Sequence, residues 1–257
     1  MFAHKRQSEI SERIKKFGAV TTAELVKEFD VSVETIRRDF LYMEQQGALK
    51  RVHGGAVENQ NMKHFVALDV RNEEFSEEKR NLSQNAAAFI QNGDIICVDS
   101  GSTANCFAQV LKENFSNLTV VTHSLDVFNI LSKHADFNVI LCAGHFLREE
   151  NAFYGGLTLD AFSKIHVQKA FVFPSAISIE FGICDYSKEL WDVQKAILKC
   201  ADEVFVLADS SKFEKSAILK LDDMKSEYTY VTDDKLPQGL DNLYKENEIK
   251  IFKGDTK

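Results

Sequence analysis

The 257-residue sequence contains no long apolar run. Runs such as DIICVD (94–99) and KAFVFPSA (169–176) are far shorter than the roughly 20 residues that a membrane-spanning helix needs. The basic residues near the N-terminus have no apolar stretch behind them, which argues against a secretory signal peptide. The sequence therefore indicates a cytoplasmic protein with no membrane partner.

Motifs for metals and nucleotide cofactors are also absent. The five cysteines are odd in number, form no C-x-x-C pair and lie mostly in apolar runs, so we interpret them as reduced core residues. The seven histidines show none of the close spacings typical of zinc sites. No strand-like run is followed by G-x-G-x-x-G, and no G-K-[ST] loop occurs, which argues against dinucleotides and ATP. We expect neither a metal nor a cofactor.

Formal charge is distributed unevenly along the chain. Residues 1–57 hold 10 Lys and Arg against 8 Asp and Glu, whereas residues 58–257 hold 21 against 31. The first part is therefore weakly basic and the second strongly acidic. An acidic body repels nucleic acid, and a small basic head does not, so the pattern permits a DNA-binding domain at the N-terminus.

Apolar periodicity and capping residues predict three helices in this head. The first has apolar residues at helical spacing from Ile10 to Phe17. Thr21 and Glu24 form a capping box before the second helix, and Ser32 caps a third that runs to about residue 46. Two helices joined by a three-residue turn are typical of a helix-turn-helix, whose second helix enters the major groove of DNA.

The third helix has an apolar stripe and an arginine-bearing side. At about 100° per residue, the stripe that we predict to be buried consists of Val33, Ile36, Phe40 and Met43. The opposite side consists of Thr35, Arg38 and Tyr42, with Arg37 at the flank of the stripe. Arginine suits a recognition helix because its planar fork bonds two acceptors on a base edge at once.

A basic hairpin is predicted after the third helix. The stretch is LKRVHGGAV (49–57), in which alternating residues meet a turn at Gly54–Gly55. Such a hairpin would be the wing of a winged helix, with Lys50, Arg51 and His53 able to reach phosphate or the minor groove. The alternative is that the basic side chains form a solvated face beside acidic neighbours, namely Glu34, Asp39 and Glu44. Cap, turn, stripe and wing in series favour DNA binding.

These residues resemble a known family. The stretch TTAELVKEFDVSVETIRRDFLYMEQQGALKRVHGGAV is similar to the N-terminal domain of the DeoR family of bacterial transcription regulators. The resemblance implies a winged helix-turn-helix over residues 3–57, with the helix-turn-helix at about 20–39 and the wing at about 49–57. It implies operator DNA as a partner. The candidate DNA contacts are Thr22, Ser32, Thr35, Arg37, Arg38, Tyr42, Lys50, Arg51, His53 and Gly54.

We place a linker at residues 58–74 and a larger α/β domain at residues 75–255. Short apolar runs alternate there with helix-like stretches, which predicts a parallel sheet covered on both faces. The runs that we interpret as buried strands are 94–99, 117–124, 137–144, 169–176, 203–210 and 227–233, with a further one at 249–252.

Polar clusters follow several of these runs, and ligands of parallel sheets bind at the carboxyl ends of strands. The first is DSGST (99–103), in which a glycine and the start of a helix would offer N–H groups to an anion. The alternative for each cluster alone is a helix cap or a turn. The candidate effector contacts are Asp99, Ser100, Gly101, Ser102, Thr103, Thr122, His123, Ser124, Gly144, Ser175, Asp185 and Lys212.

The DeoR resemblance extends over this second domain. DSGST, THS (122–124) and ADSSKF (208–213) match motifs of the family's sensor domain, whose fold is similar to ribose-5-phosphate isomerase and glucosamine-6-phosphate deaminase. It implies a phosphorylated sugar as effector, with contacts from Ser100 to Thr103 and from Ser124 and Lys212. Arg71 and an E-K-R run (78–80) also match the family, but we interpret Lys79 and Arg80 as a solvated pair at a helix start.

Several positions depart from the family pattern. His123 stands where Asn is usual, Ala143 where Gly is usual, Gln194 where Lys is usual, and PSAIS (174–178) replaces a glycine-containing loop. We therefore hypothesise an unusual or weakly bound effector.

The sequence predicts a DNA-binding repressor of a sugar-utilisation operon, not an enzyme. Two alternatives are an activator of the same regulon and a phosphosugar isomerase or deaminase. The possible acid and base groups of such an enzyme are Asp99, His123, His145, Asp185 and Glu189, among which no carboxylate–histidine pair has persuasive spacing. Two-fold operator logic and the resemblance lead us to expect a dimer or tetramer.

Overall fold

The computed structural model describes residues 3–17, 19–45, 48–52, 54–57 and 67–254. The chain divides into two compact units, residues 1–66 and residues 67–257. The linker predicted at residues 58–74 falls partly outside the described residues, and its last part contains a short helix that belongs to the second unit. None of the described helices is long and apolar enough to cross a membrane.

The first unit combines helices with a small antiparallel sheet. Its described elements are α1 (Ala3–Phe17), β1 (Ala19–Thr21), α2 (Thr22–Phe29), α3 (Val33–Gln45), β2 (Lys50–Val52) and β3 (Gly55–Val57). The predicted capping box is confirmed, because the Thr21 hydroxyl accepts from the backbone N–H of Glu24 and the Glu24 carboxylate accepts from that of Thr21.

The hairpin forms as predicted, but its turn does not lie where predicted. β2 and β3 pair with Val52 opposite Gly55, so Gly55 lies in a strand and Gly54–Gly55 is not the turn. Gly55 instead begins β3, which also pairs with β1. A Cβ atom at Gly55 would lie 2.2 Å from the carbonyl oxygen of Val20, so this close approach of β1 requires glycine.

The core of the first unit lies where its helices meet. Ile36, Phe40 and Met43 of α3 are buried as predicted. Val33 is 45% exposed, so its predicted burial is wrong; it is the first residue of α3 and follows the cap.

The second unit surrounds a parallel sheet. Its first elements are α4 (Leu68–Glu73), α5 (Ser76–Ala87), β4 (Ile95–Val98), α6 (Ser102–Asn114), β5 (Thr119–Thr122), α7 (Leu125–Leu131), β6 (Asn138–Leu141), β7 (His145–Leu147), β8 (Ala152–Tyr154), α8 (Gly156–Ser163) and β9 (Val167–Val172). They are followed by β10 (Ala176–Ser178), β11 (Gly182–Asp185), α9 (Lys188–Lys199), β12 (Ala201–Leu207), a 3₁₀ turn (Ser210–Lys212), β13 (Leu219–Asp222), β14 (Thr229–Val231), α10 (Gln238–Glu246) and β15 (Ile251–Phe252).

Seven of these strands form one sheet in the order β15-β14-β12-β9-β4-β5-β6, and each pair is parallel. Each strand comes from one of the seven predicted runs, so the predicted α/β class is confirmed. Successive residues point to opposite faces, and each face has its own apolar core. Helices α5, α6 and α7 cover one core, while α8, α9 and α10 cover the other. All five cysteines are free, and four are buried.

Candidate DNA-binding and effector-binding sites

The start of α3 is fixed by its cap. The hydroxyl of Ser32 accepts from the backbone N–H of Thr35 at 3.1 Å, and the two hydroxyls lie 2.9 Å apart. Ser32 is exposed and Thr35 is half-buried. Beyond them Arg37, Arg38 and Tyr42 are exposed, while the apolar stripe packs inside. The structure therefore leaves the predicted arginine-bearing side of the helix accessible.

Polar contacts join the wing to the two helices of the helix-turn-helix. The Arg51 side chain and backbone N–H both donate to the Glu44 carboxylate, at 2.6 and 2.8 Å. The backbone N–H of Thr22 donates to the Gly54 carbonyl at 2.8 Å, where Gly54 has φ of +85°. Two predicted DNA contacts, His53 and the side chain of Lys50, lie outside what the structure describes.

A buried ion pair supports α3 from behind. Arg6 of α1 contacts Asp39 of α3 at 2.5 Å, and Gln7 donates to the other carboxylate oxygen at 2.9 Å. The side chains of Arg6 and Asp39 are 6% and 5% exposed. Asp39 is thus not part of a solvated face, as the alternative interpretation had it. It ties α3 to α1.

The carboxyl edge of the large sheet brings several predicted effector residues together. His123 follows β5 and is fully buried. Its Nε2 lies 2.9 Å from Asp99 Oδ1 and its Nδ1 lies 2.8 Å from the carbonyl oxygen of Phe153. The statement that no carboxylate–histidine pair has persuasive spacing is wrong, because neighbouring parallel strands place these two residues side by side.

Gln194 of α9 connects this pair to a second carboxylate. Its Nε2 lies 3.3 Å from Asp99 Oδ2 and 3.0 Å from Asp185 Oδ2. Asp185 Oδ1 accepts from the hydroxyl of Ser175 at 2.9 Å. The predicted residues Asp99, His123, Ser175 and Asp185 therefore form one hydrogen-bonded network, which Gln194 completes.

The loop DSGST delivers the N-terminus of α6 to the same edge. Gly101 has φ of +112° and precedes the helix without a side-chain cap, so the first N–H groups of α6 keep their hydrogen-bonding capacity. Ser100, Ser102 and Thr103 are buried, and the Thr103 hydroxyl has no partner. An uncapped helix start beside an unpartnered hydroxyl suits an anion. We call residues 100–103 the cradle.

Two basic side chains, Arg71 and Lys212, lie at the same edge of the sheet as the cradle. A Cβ atom at Gly101 would meet Nη1 of Arg71 at 4.0 Å, which places this guanidinium over the loop. The other terminal nitrogen, Nη2, contacts both carboxylate oxygens of Glu150 at 2.6 Å. Lys212 donates to the carbonyl of Pro174 at 3.1 Å.

Lys79 is a further basic residue, which contacts the backbone of Arg71, and the interpretation of it as solvated is wrong. The residue is 3% exposed and donates to the backbone carbonyls of Arg71 and Glu74. Arg80, the other member of the pair, is exposed and contacts Glu113 at 2.9 Å. We call Arg71, Lys79 and Lys212 the basic cluster.

Comparison with known proteins follows the same division of the chain. A family model described as the DeoR C terminal sensor domain matches residues 74–234, and one described as the DeoR-like helix-turn-helix domain matches residues 6–62. The chain belongs to the DeoR family. This DeoR-family protein is a DNA-binding transcription regulator and not an enzyme.

Two curated relatives are similar over nearly the whole chain. The glycerol-3-phosphate regulon repressor of Haemophilus influenzae is 30% identical over 96% of this chain and 95% of that protein. The L-fucose operon activator of the same organism is 28% identical over 95% of this chain and 97% of that protein. Ribose 5 phosphate isomerase A from Neisseria gonorrhoeae matches 55% of this chain and 54% of its own, at 15% identity and a TM-score of 0.40. That likeness is too weak to carry an argument.

The remaining predicted effector residues of the DeoR-family chain have structural roles. The Thr122 hydroxyl accepts from the N–H of Ser124, and the Ser124 hydroxyl caps α7 by accepting from Val127. A Cβ atom at Gly144 would lie 2.2 Å from the Thr158 hydroxyl, so glycine is needed there for packing. Two cavities, of about 550 and 400 Å³, are lined by other residues.

The buried Lys79 leads to a prediction on pH. Burial, followed by the positive charge of Lys212, lowers the pKa of Lys79 from 10.5 to about 8. An anion in the cradle favours the charged amine, so its binding is accompanied by proton uptake. We expect the affinity for inorganic phosphate to be highest below pH 8 and to fall by up to about tenfold at pH 9. Calorimetric titration at pH 7 and pH 9 measures this.

The Lys79→Met variant is the control for this prediction. It should show no such fall in affinity, because inorganic phosphate itself loses its second proton near neutral pH and only becomes more negatively charged between pH 7 and pH 9. The depressed pKa also means that the unfolded chain binds more protons between pH 8 and 10.5, so this residue's contribution to stability rises with pH over that window. If phosphate binding depends equally on pH in the two proteins, the charge of Lys79 does not contribute to binding at the cradle.

Proposed function

We propose that this DeoR-family regulator is a cytoplasmic repressor of a sugar-utilisation operon and that a phosphorylated sugar releases it from its operator. The observation that carries the proposal is the cradle, an uncapped helix start with an unpartnered buried hydroxyl beside the basic cluster. A phosphate group matches both the N–H donors and the positive charge.

The first unit supplies the DNA contacts in this proposal. The start of α3 enters the major groove, with Arg37 and Arg38 as the residues that contact bases or phosphates. The wing lies alongside and contacts the backbone of the duplex. The proposed contacts are Thr22, Ser32, Thr35, Arg37, Arg38, Tyr42, Lys50, Arg51, His53 and Gly54. A dimer or tetramer would match two operator half-sites.

The effector's phosphate is held by the N–H groups and hydroxyls of the cradle in this proposal. Arg71, Lys79 and Lys212 neutralise its charge. The sugar lies toward the network of Asp99, His123, Asp185 and Gln194. The second group of proposed contacts, namely Thr122, Ser124, Gly144 and Ser175, shapes this network from the strand ends.

Arg71 offers a route from effector to DNA. It lies on α4, the first described element after residues 58–66, which join the second unit to the first. Its guanidinium lies over Gly101 and also holds Glu150. A phosphate in the cradle competes for this guanidinium and so favours one position of α4 over another. Effector and operator are coupled if each prefers a different position.

Whether the protein represses or activates transcription is a separate question. An activator is the second candidate, because one relative is named as an activator. The L-fucose operon activator is similar to 95% of this chain, and its name describes activation and not repression. An activator would use the same DNA contacts and the same effector site. Transcription from the regulated promoter, measured with and without the protein, distinguishes the two.

The test of the proposal is binding to the protein's own upstream DNA at fixed salt, with and without a panel of sugar phosphates. Release by one compound supports the proposal, and tight binding that no compound disturbs contradicts its effector part. The Lys212→Met variant should bind the DNA normally but need about tenfold more of that compound for release, because it has lost one cation beside the phosphate.

The matched control is Lys164→Met. Lys164 is exposed and contacts only the exposed Asp160 in the described part of the chain. The Lys164→Met variant removes the same charge far from the cradle, so the concentration of sugar phosphate needed to release the DNA should be unchanged. An equal effect of both variants would mean that net charge and not the cradle governs release.

A further inference from the structure

Two buried carboxylates, Asp99 and Asp185, share a hydrogen-bond donor beyond the cradle, and a third, Glu150, lies near enough for both charges to act on its pKa. Gln194 donates to both Asp99 and Asp185. Burial raises the pKa of Glu150, and the charges of Asp185 and Asp99 raise it as well, although Arg71 opposes them. All three residues are at most 7% exposed. So close a group of buried carboxylates requires compensation.

Two of the three carboxylates are compensated within the protein. Arg71 contacts both oxygens of Glu150. His123 Nδ1 faces the carbonyl of Phe153, which only accepts, so Nδ1 carries a proton. The contact between Nε2 and Asp99 then needs a second proton, on the ring or on the carboxyl group. In either arrangement the pair of Asp99 and His123 has no net charge.

Asp185 is different, because its described partners are all neutral. Its Oδ1 accepts from the Ser175 hydroxyl and from the backbone N–H groups of Tyr186 and Ser187. Its Oδ2 accepts from Gln194. Within the described residues, no Lys, Arg or His side chain forms an ion pair with it. Because every described contact of this carboxyl group is with a hydrogen-bond donor, it meets them as a carboxylate and brings one negative charge to this buried network.

Gln194 adds an unmet hydrogen-bonding need at the same place. The residue is 3% exposed, and while its Nε2 donates to two carboxylates its Oε1 has no partner. A buried carbonyl oxygen without a hydrogen-bond donor is unfavourable, so a ligand that supplies a donor to Gln194 Oε1 gains binding free energy. The network thus offers a negative charge and an acceptor, and both favour donors.

We propose that Asp185 and Gln194 determine which effector binds: a phosphate ester whose other end presents hydroxyl or ammonium donors is accepted, and one that carries a carboxylate there is rejected. This inference rests on the proposed phosphate effector and goes further by giving the chemistry of its other end. A hydroxyl donates to Gln194 Oε1. A second carboxylate would instead face the charge of Asp185 at low dielectric, where repulsion is strong.

The experiment compares matched esters that differ in a carboxylate. The pairs are glycerol 3-phosphate with 3-phosphoglycerate, and glucitol 6-phosphate with 6-phosphogluconate, each titrated calorimetrically into the full chain at fixed ionic strength. We expect the alcohol of at least one pair to bind at least about tenfold more tightly than its acid. Inorganic phosphate serves as the probe of the cradle alone.

Variants assign this preference to the two residues. Asp185→Asn should reduce the preference for the alcohol over the acid to about twofold. Gln194→Met should weaken the binding of the alcohol by about tenfold. Neither variant should change the affinity for inorganic phosphate by more than about twofold. The control is Asp202→Asn, which removes an exposed carboxylate of β12 and should change nothing. Gln194→Met is independent evidence if Asp185→Asn does not fold.

The outcomes separate this inference from the proposed function. If the acid binds as tightly as its alcohol in both pairs, or if the preference persists in Asp185→Asn, the inference alone is overturned. The same holds if inorganic phosphate binds and no ester does. If neither phosphate nor any ester binds, the phosphate-effector part of the proposed function falls, and this inference falls with it.

Discussion

The double variant Arg37→Ala, Arg38→Ala should lose specific binding to its operator while its effector site stays intact. Both side chains are exposed on α3, next to the helix start that its Ser32 cap holds in place. The carboxylate of Glu34 lies 3.7 Å from Arg37, but this exposed pair contributes little. Removing the arginines therefore changes the surface that DNA meets and not the core.

The size of the effect follows from what an arginine does at DNA. Each one that reads a base contributes about 1 to 3 kcal/mol, so the pair is worth at least about 2 kcal/mol, or roughly thirtyfold in affinity. A titration of operator and of unrelated DNA at several salt concentrations measures it. If Arg38 reads a base, Arg38→Ala alone relaxes specificity at one position; if it contacts phosphate, all sequences weaken alike and the salt dependence flattens.

The control removes two positive charges elsewhere. Arg80 and Lys164 are exposed on the second unit, and each contacts an exposed carboxylate. The Arg80→Ala, Lys164→Ala variant should bind the operator as the unchanged protein does. Unchanged binding by the Arg37 and Arg38 double variant would show that α3 is not the recognition helix.

The large sheet could be predicted from the sequence because of where its strands lie. Parallel strands covered on both faces need apolar side chains at successive positions, so each of the seven strands stands out as an apolar run. The strands β1, β7, β8, β10, β11 and β13 were missed. They belong to the small antiparallel sheets and not to the large one, and most of them contain a polar residue, so they do not stand out as apolar runs.

The candidate effector site was predictable in part, for a similar reason. DSGST could be predicted as an anion-binding loop because a loop and a helix start are local features of the sequence. The contact between Arg71 and Glu150 joins residues 79 apart in sequence, and no local pattern indicates it. Lys79 was misinterpreted because a basic residue in the first turn of a helix usually faces water. Here two backbone carbonyls of the preceding segment bind its amine instead.

The Asp39→Ala variant should greatly destabilise the first unit. The carboxylate binds Arg6 at 2.5 Å and Gln7 at 2.9 Å, and both charged side chains are about 95% buried. Removing one partner of a buried ion pair costs about 3 to 5 kcal/mol, because the other charge stays in the interior. This is a large fraction of the about 5 to 15 kcal/mol that a domain has. Urea unfolding followed by circular dichroism and by operator binding measures the loss.

Two further variants show whether burial is the cause. Glu28→Ala breaks the contact with Arg13, whose side chains are 43% and 36% exposed, so it should cost less than about 1 kcal/mol. Arg6→Met, Asp39→Leu replaces the buried pair by apolar side chains and should recover most of the stability, since no charge then remains in the interior. If the double variant is as unstable as Asp39→Ala, the loss of stability comes from the missing hydrogen bonds of Asp39 between α1 and α3. It does not then come from an unpaired Arg6 in the interior.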